Sequence, residues 1–367
     1  MLSGLAQTGM KALGGARFSL VNLVPATILV GFLTLLAVSG LYAGDDLNLG
    51  ETTKKLGANP GWALVAVFGV FVLAVLLRPF QAALVQLLEG YWERWPVLNH
   101  VSALAIERHR RARHTAEIVV DAYREPGPSA TSALHEVAQA QRLRRRATAI
   151  KMRAQVTVDR YPKPLWEKSQ NGRIVGYDDR LLPTLLGNAL RDGEDNAGQR
   201  YGLSIQVVAP RLYPSLSPKL DAAITQSLDL LDTTAAMCVS FAVAAVSSLP
   251  LIGRWDPWSF TPLAAVVLSV LAYRGAVRIA RGHARLLATA CDLHRFDMLA
   301  ALHYELPTTP QYERQLNLGL SKFLDSHGTA LDYMGAFNYV HPEPTTSLSH
   351  SGTERAEPEP DGGGSAG

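Results

Sequence analysis

Apolar residues in this chain gather into four long runs, and polar residues fill the stretches between them. Run one is Val24–Ala43, with Pro25 in its first turn, where proline is tolerated. Run two is Trp62–Leu77, run three about Thr233–Ile252, and run four Trp258–Tyr273. Runs this long and this poor in charge read as helices that cross a bilayer. Runs two and four hold sixteen residues each. That is ~24 Å of helix against a hydrocarbon core of ~30 Å, so flanking residues must lengthen both. Arg78 and Arg274 end these two runs and are expected to snorkel toward lipid headgroups. Trp62, Trp255 and Trp258 fall where an interfacial aromatic belt belongs.

The fourth run does not stop at the membrane. Arg274, Arg278, Arg281 and Arg285 follow at spacings of four, three and four. At 100° per residue they share one helix face about 60° wide. The stretch continues through Cys291–Leu306 with no proline before Pro307. Trp258–Leu306 therefore predicts one long helix leaving a membrane and entering the cytosol.

Between runs two and three the apolar pattern becomes helical and amphipathic. Leu84, Leu87, Leu88, Tyr91 and Trp95 form one face beyond run two. Val97–Tyr123 and Thr131–Arg160 each predict a helix, separated by the breaker EPGPS at 125–129. Pro162 and Pro164 close the second, and Asn171–Gly172 marks a turn. A helix is expected from about Leu185 to Gln199, ended by Gly202. Ser204–Ala209 reads equally as a short strand or a loop. Ser217–Pro218 starts the helix that carries run three, and Gln311–Phe323 predicts a short helix. The tail after His341, rich in Pro, Ser, Glu and Gly, is expected to be disordered.

Lysine and arginine placement sets the expected orientation. Lys11 and Arg17 precede run one, and arginine is abundant between runs two and three and after run four. The loops Gly44–Pro60 and Gly253–Pro257 are mixed in charge. Both termini and the central segment are thus expected on the cytoplasmic side of the cell membrane. Run one follows a basic segment as a signal peptide does, but Phe18–Ala43 is too long for one and reads as a retained span. The expected fold is an all-α polytopic membrane protein, with four transmembrane helices in two hairpins and a helical cytosolic domain between them. The expected divisions are 1–23 (cytosolic), 24–78 (hairpin one), 79–228 (cytosolic domain), 229–274 (hairpin two), 275–340 (helical extension) and 341–367 (tail). Trp62 and Arg78 match Trp258 and Arg274 at one common offset. Anchoring accounts for that match, with a parallel repeat as the alternative.

Composition agrees. Of 367 residues, 48% are hydrophobic and 18% charged, against ~25% charged in soluble domains. The net charge of +3 is no polycation's. Two cysteines, Cys238 and Cys291, give no disulfide framework. At this point a resemblance enters. The strings PTLLGNALRDGEDNAGQRYGL (183–203), APRLYP (209–214), LVQLLEGYW (84–92) and CDLHRFDMLAALHYELP (291–307) resemble those of an uncharacterised family of multi-pass membrane proteins of high-GC actinobacteria. The resemblance implies a topology and no catalytic residues. The hairpin–domain–hairpin layout is also loosely similar to that of bestrophin-type anion channels, in topology alone and with none of their motifs.

Candidate chemistry is sparse. Arg78, Arg274, Arg278, Arg281 and Arg285 are candidate contacts for lipid or anion. The readings weighed are anchoring to anionic headgroups, a pore vestibule, or a voltage sensor, which would need its arginines inside the apolar span. The cluster Arg108–Arg113 with Arg142–Arg153 is interleaved with Glu107, Glu117 and Glu136. It reads as a salt-bridged surface or a lipid contact, and without stacking aromatics it is no nucleic-acid site. Asp192, Glu194 and Asp195 with Arg180, Arg191 and Arg200 are candidates for a small-ligand pocket or a subunit interface. Asn188, Arg191, Glu194, Arg200 and Tyr201 are the residues to watch there. Asp292, His294, Asp297 and His303 diverge around a helix, so packing or an Asp292–Arg295 pair fits better than a metal. No nucleotide loop, nucleophile elbow or zinc motif is present, so no catalytic residue, cofactor or metal is assigned. The leading expectation is a non-enzymatic homo-oligomeric membrane assembly, a channel or scaffold. The alternative is a membrane-tethered module that binds a ligand or a cytosolic protein.

Overall fold

A computed structural model of the chain describes residues 19–44, 48–92, 96–122, 134–161, 180–325 and 338–341. About 87% of these residues are helical, and no strand occurs among them. Ten α-helices follow in order. They are α1 (Val24–Ser39), α2 (Leu49–Ala58), α3 (Pro60–Glu89), α4 (Pro96–Ala122), α5 (Leu134–Val158), α6 (Leu185–Ala197), α7 (Ile205–Leu212), α8 (Pro218–Ser247), α9 (Thr261–Ala301) and α10 (Pro310–Asp325). Four helical stretches are long and apolar enough to cross a membrane: Val21–Ser39, Pro60–Glu89, Pro218–Ser247 and Pro257–Ala301. The length and composition of these four helices are consistent with a multi-pass membrane protein.

The four long helices pack as a bundle, with α8 and α9 in the most extensive contact and α1 against both α3 and α8. Small residues set the closest approaches. Ala26 and Ala74 join α1 to α3, and Ala244, Ala245 and Ala265 join α8 to α9 under Leu29 and Phe32. Small side chains allow this because lipid gives apolar helices little reason to associate except close packing. At one end the loops after α1 and α8 meet. Arg254 donates to the carbonyls of Leu41 and Gly44 and pairs with Asp256 at 2.6 Å. Tyr42 donates to Ser247 O at 2.7 Å, over a plug of Leu36, Leu41 and Leu251.

At the other end a polar helical body begins. α6 lies along α9 and caps the C-terminal end of α3. A Cβ at Gly193 would sit 2.5 Å from the Cβ of Ala284, so only glycine permits this crossing of α6 and α9. Leu186, Ala189, Leu231, Ala276, Val277 and Ala280 form the core there. Farther along, α7, α8, α9 and α10 close around Leu212, Met298, Leu299 and Leu320. α4 and α5 pack on each other and touch the body through His109. Its Nε2–H donates to Pro183 O at 3.2 Å, which leaves Nδ1 to accept from Tyr161 at 3.1 Å. Burial holds the His109 imidazolium pKa below its usual value, consistent with that neutral tautomer.

Several expectations need correction. The mixed loop Gly44–Pro60 contains a helix, α2, because Asn48 Oδ1 accepts from Gly50 N and Glu51 N as an N-cap. Ser204–Ala209 is neither strand nor loop but the start of α7, which carries Pro210 inside it. Run three leaves α-helical geometry at Ser247 and continues as a 3-10 turn over Leu249–Arg254. The long helix ends at Ala301, short of Leu306, because His303 takes φ 59° and Tyr304 pairs with Tyr339. Arg295 does not pair with the Asp292 carboxylate. It donates to the Asp292 carbonyl and binds Glu313 at 2.6 Å. The N-terminal segment with Lys11 and Arg17, the EPGPS breaker, Pro162, Pro164, the Asn171–Gly172 turn and the tail beyond His341 lie outside the described residues, as does the Glu136 side chain.

Candidate functional site

Two sets of residues merit description, the arginine row and the charged body around α6. The row runs down α9 on the face opposite its packed stripe. Ala276, Ala280, His283, Leu287 and Met298 are buried. At 100° per residue the four arginines centre roughly 155° from that stripe. Arg274, Arg278 and Arg285 are exposed and Arg281 is half-buried, and Arg78 on α3 is exposed too. None of the five has an ion-pair partner among the described residues. Arg281 and Arg285 border a crevice of about 260 Å³ with Asp159, Asp192 and Asn196. In the other basic cluster, the part on α4 is a paired surface. Glu107 accepts from Arg111 at 2.7 Å and from Arg110 at 3.4 Å, and Arg113 binds Glu117 at 2.8 Å.

The body is built on the start of α6. Thr184 caps the helix by accepting from Gly187 N at 3.0 Å, and its hydroxyl donates to Glu89 O at 2.7 Å. That second bond ties α6 to the last turn of α3. Asn188, fully buried, accepts from Leu182 N and donates to Leu182 O and Thr184 O, each at 2.8 Å. Asn188 is therefore a staple inside the fold and presents nothing to a ligand. Tyr201 is also committed: its hydroxyl donates to Asp292 at 2.7 Å, and the Arg295 guanidinium lies 4.0 Å over its ring. These contacts join the turn after α6 to α9 and, through Glu313, to α10. Arg200 is exposed. Arg191 donates to Arg180 O at 3.3 Å and to Tyr91 Oη at 3.4 Å.

Of the predicted residues around α6, Arg180, Glu194 and Asp195 line cavities, and Asp192 lines the crevice beside Arg281. Glu194 accepts from Gln206 at 2.8 Å and borders two cavities. One, about 280 Å³, lies between α3, α6, α8 and α9 and is lined by Glu89, Asp232 and His283. His283 is held by Ser227 at 2.7 Å. The other, about 120 Å³, lies between α6, the turn after it, α7 and α10, and Asp195 and Arg180 share its wall. Asp195 pairs with Arg180 through one oxygen, while its second oxygen has no donor among the described residues. Burial pushes the Asp195 carboxyl up to about 6, against the pull of Arg180 and Arg191. Gln206, Arg314 and Ser321 complete that wall. Their distance along the chain leaves no local signal that would join them to α6. Among the described residues no group of three His, Cys, Asp or Glu is arranged to hold a metal ion, and His294 instead binds Asp297 at 2.8 Å. No protein-family model, curated protein or solved structure matches the chain, so the functional reading stands on this geometry.

Proposed function

We propose that this protein is a membrane-tethered binding module, with its polar helical body on the cytoplasmic side and four spans in two hairpins that hold it there. The carrying observation is the division of polar chemistry. Contacts between the long helices are mostly apolar, and Gln81, Ser269 and Ser248 have partners there: Gln81 donates to Asn22 Oδ1 at 2.5 Å, Ser269 to Cys238 O at 2.9 Å and Ser248 to Ala244 O at 2.7 Å. The buried polar atoms of Arg180, Arg191, Asp195 and Asn317 that lack a partner among the described residues lie in the body, as do the cavities of about 120 and 280 Å³. The arginine row supports the same reading. On the face away from the packed stripe it suits anionic headgroups, worth ~1 kcal/mol per charge. Trp255, 96% exposed, supports an interface at the opposite end.

Single cysteines test the arrangement, because both native cysteines are buried and stay silent to a membrane-impermeant maleimide. In intact cells Lys54→Cys should label and Arg108→Cys should not; permeabilised cells should label both. Labelling of Arg108→Cys from outside would reject the orientation. Ion flux in proteoliposomes above that of empty vesicles would reject the module in favour of a channel.

One observation favours a second reading, a homo-oligomeric scaffold. Leu76, Phe80 and Leu87 lie along one face of α3, all exposed, so the stripe continues past Arg78, and exposed Tyr91 follows just beyond the helix end. Beyond the hydrocarbon that face has no lipid to cover it, and a second copy would do so. Native mass spectrometry in detergent tests this, and a strict monomer removes it.

A further inference from the structure

The smaller cavity of the body has the features of a built site. Its wall carries two carboxylates, Glu194 and Asp195, and two guanidiniums, Arg180 and Arg314. Asp195 has only 5% of its side chain exposed, yet its Oδ2 has no donor among the described residues. The Nε of Arg180 likewise lacks an acceptor there. A buried carboxylate oxygen without a donor is costly, so such groups normally have a partner. Asp195 is part of the cavity wall, and the carboxyl torsion of aspartate is soft enough to adjust to a ligand there. Arg314 is exposed at the mouth and has no ion-pair partner among the described residues. One water takes roughly 10–15 Å³ of such space, so about 120 Å³ admits several waters or a molecule of roughly ten non-hydrogen atoms or fewer.

We propose that this cavity binds a small zwitterion of amino-acid size. Its ammonium group faces Asp195 Oδ2 and Glu194, and its carboxylate faces Arg180 Nε and Arg314. A lone cation would leave the guanidiniums unanswered, and a lone anion would leave the buried carboxylate oxygen as it is. The inference deepens the tethered-module reading and rests on it only for the compartment in which the ligand is met. Binding to purified protein does not depend on topology, so the two ideas fail separately.

The test uses the full chain in detergent micelles, with thermal unfolding followed against glycine, L-alanine and L-glutamine. Methylamine and acetate serve as the single-charge controls. At least one zwitterion should raise the unfolding midpoint in a saturable way, with an apparent Kd at least tenfold below either control. Arg314→Gln should weaken that binding tenfold or more without moving the midpoint of the free protein, since the residue is exposed. Asp195→Asn should abolish it. The proposal is overturned if no zwitterion binds, if methylamine or acetate binds as well, or if Arg314→Gln leaves the affinity unchanged.

Discussion

Replacing Asp195 by asparagine should stabilise this protein at neutral pH, although it removes one partner of an ion pair. The reason lies in which effect dominates. Burial raises the Asp195 carboxyl from 3.8 to about 6 even with Arg180 and Arg191 pulling it down. A raised acid pKa means that the folded state holds the proton more tightly than the unfolded chain. Between about pH 4 and pH 6 the folded protein therefore binds more protons, and stability falls as pH rises through that window. Above it the loss is constant. About two pKa units at 1.36 kcal/mol each set an upper bound of ~3 kcal/mol. Asparagine cannot ionise, yet its Oδ1 still accepts from Arg180. Asp195→Asn should thus gain up to ~3 kcal/mol at pH 7.5 and little near pH 4. Denaturant or thermal unfolding in detergent, wild type against variant from pH 4 to 7.5, measures the gap. A variant less stable than wild type at pH 7.5 would show that the Arg180 pair outweighs burial. A gap between wild type and variant that stays constant through the window would show that the two effects cancel.

Three further perturbations follow. Gly193→Ala puts a methyl group 2.5 Å from the Ala284 Cβ; despite alanine's better helix propensity it should lose ~1–3 kcal/mol in unfolding experiments. Asn188→Leu breaks three buried hydrogen bonds and strands the Leu182 N–H and carbonyl; a loss of ~2–4 kcal/mol is expected, read as a lower unfolding midpoint. Arg254→Ala frees the carbonyls of Leu41 and Gly44 and the Asp256 carboxylate. It should cost ~1–3 kcal/mol and speed amide exchange in Leu41–Gly44 while leaving α6 unchanged.

What the sequence makes legible is what depends on local period and composition. The four apolar runs, the unbroken passage of α9 through the arginine row, the helical character of α4 and α5 and the extent of α6 all follow from spacing. Short elements were harder, because one capping side chain decides them. Asn48 creates α2 inside a stretch that otherwise reads as loop. α7 contains Val207, Val208 and Pro210, residues that argue against helix locally, and is helical because Ile205, Val208 and Leu212 pack into the core beside α9. The candidate site shows the same limit. Glu194 and Asp195 stand out from the sequence by charge. Gln206, Arg314 and Ser321 join them only through tertiary packing. Asn188 and Tyr201 look like ligand groups because they are polar amid apolar residues, and in the fold that polarity is spent on backbone and on Asp292.

The division of α9 into two faces explains why the row of arginines does not require a voltage sensor. A sensor presents its arginines to a protein-lined or water-filled path inside the hydrocarbon, where each moves through the field. Here the buried face of α9 is the alanine–leucine stripe that meets α8 and α6; Arg274 and Arg278 are exposed away from it, and Arg281 and Arg285 border the crevice beside α6. They begin only where the apolar run ends. An arginine in mid-membrane costs ~2.5–3.5 kcal/mol on insertion scales, and this placement avoids that cost. About a quarter turn round the same helix from the row's centre, Ala284 packs against Gly193 of α6. Two residues beyond that crossing is Asp195, so the cavity wall is fixed to the membrane-crossing helix through a contact that admits no side chain larger than hydrogen.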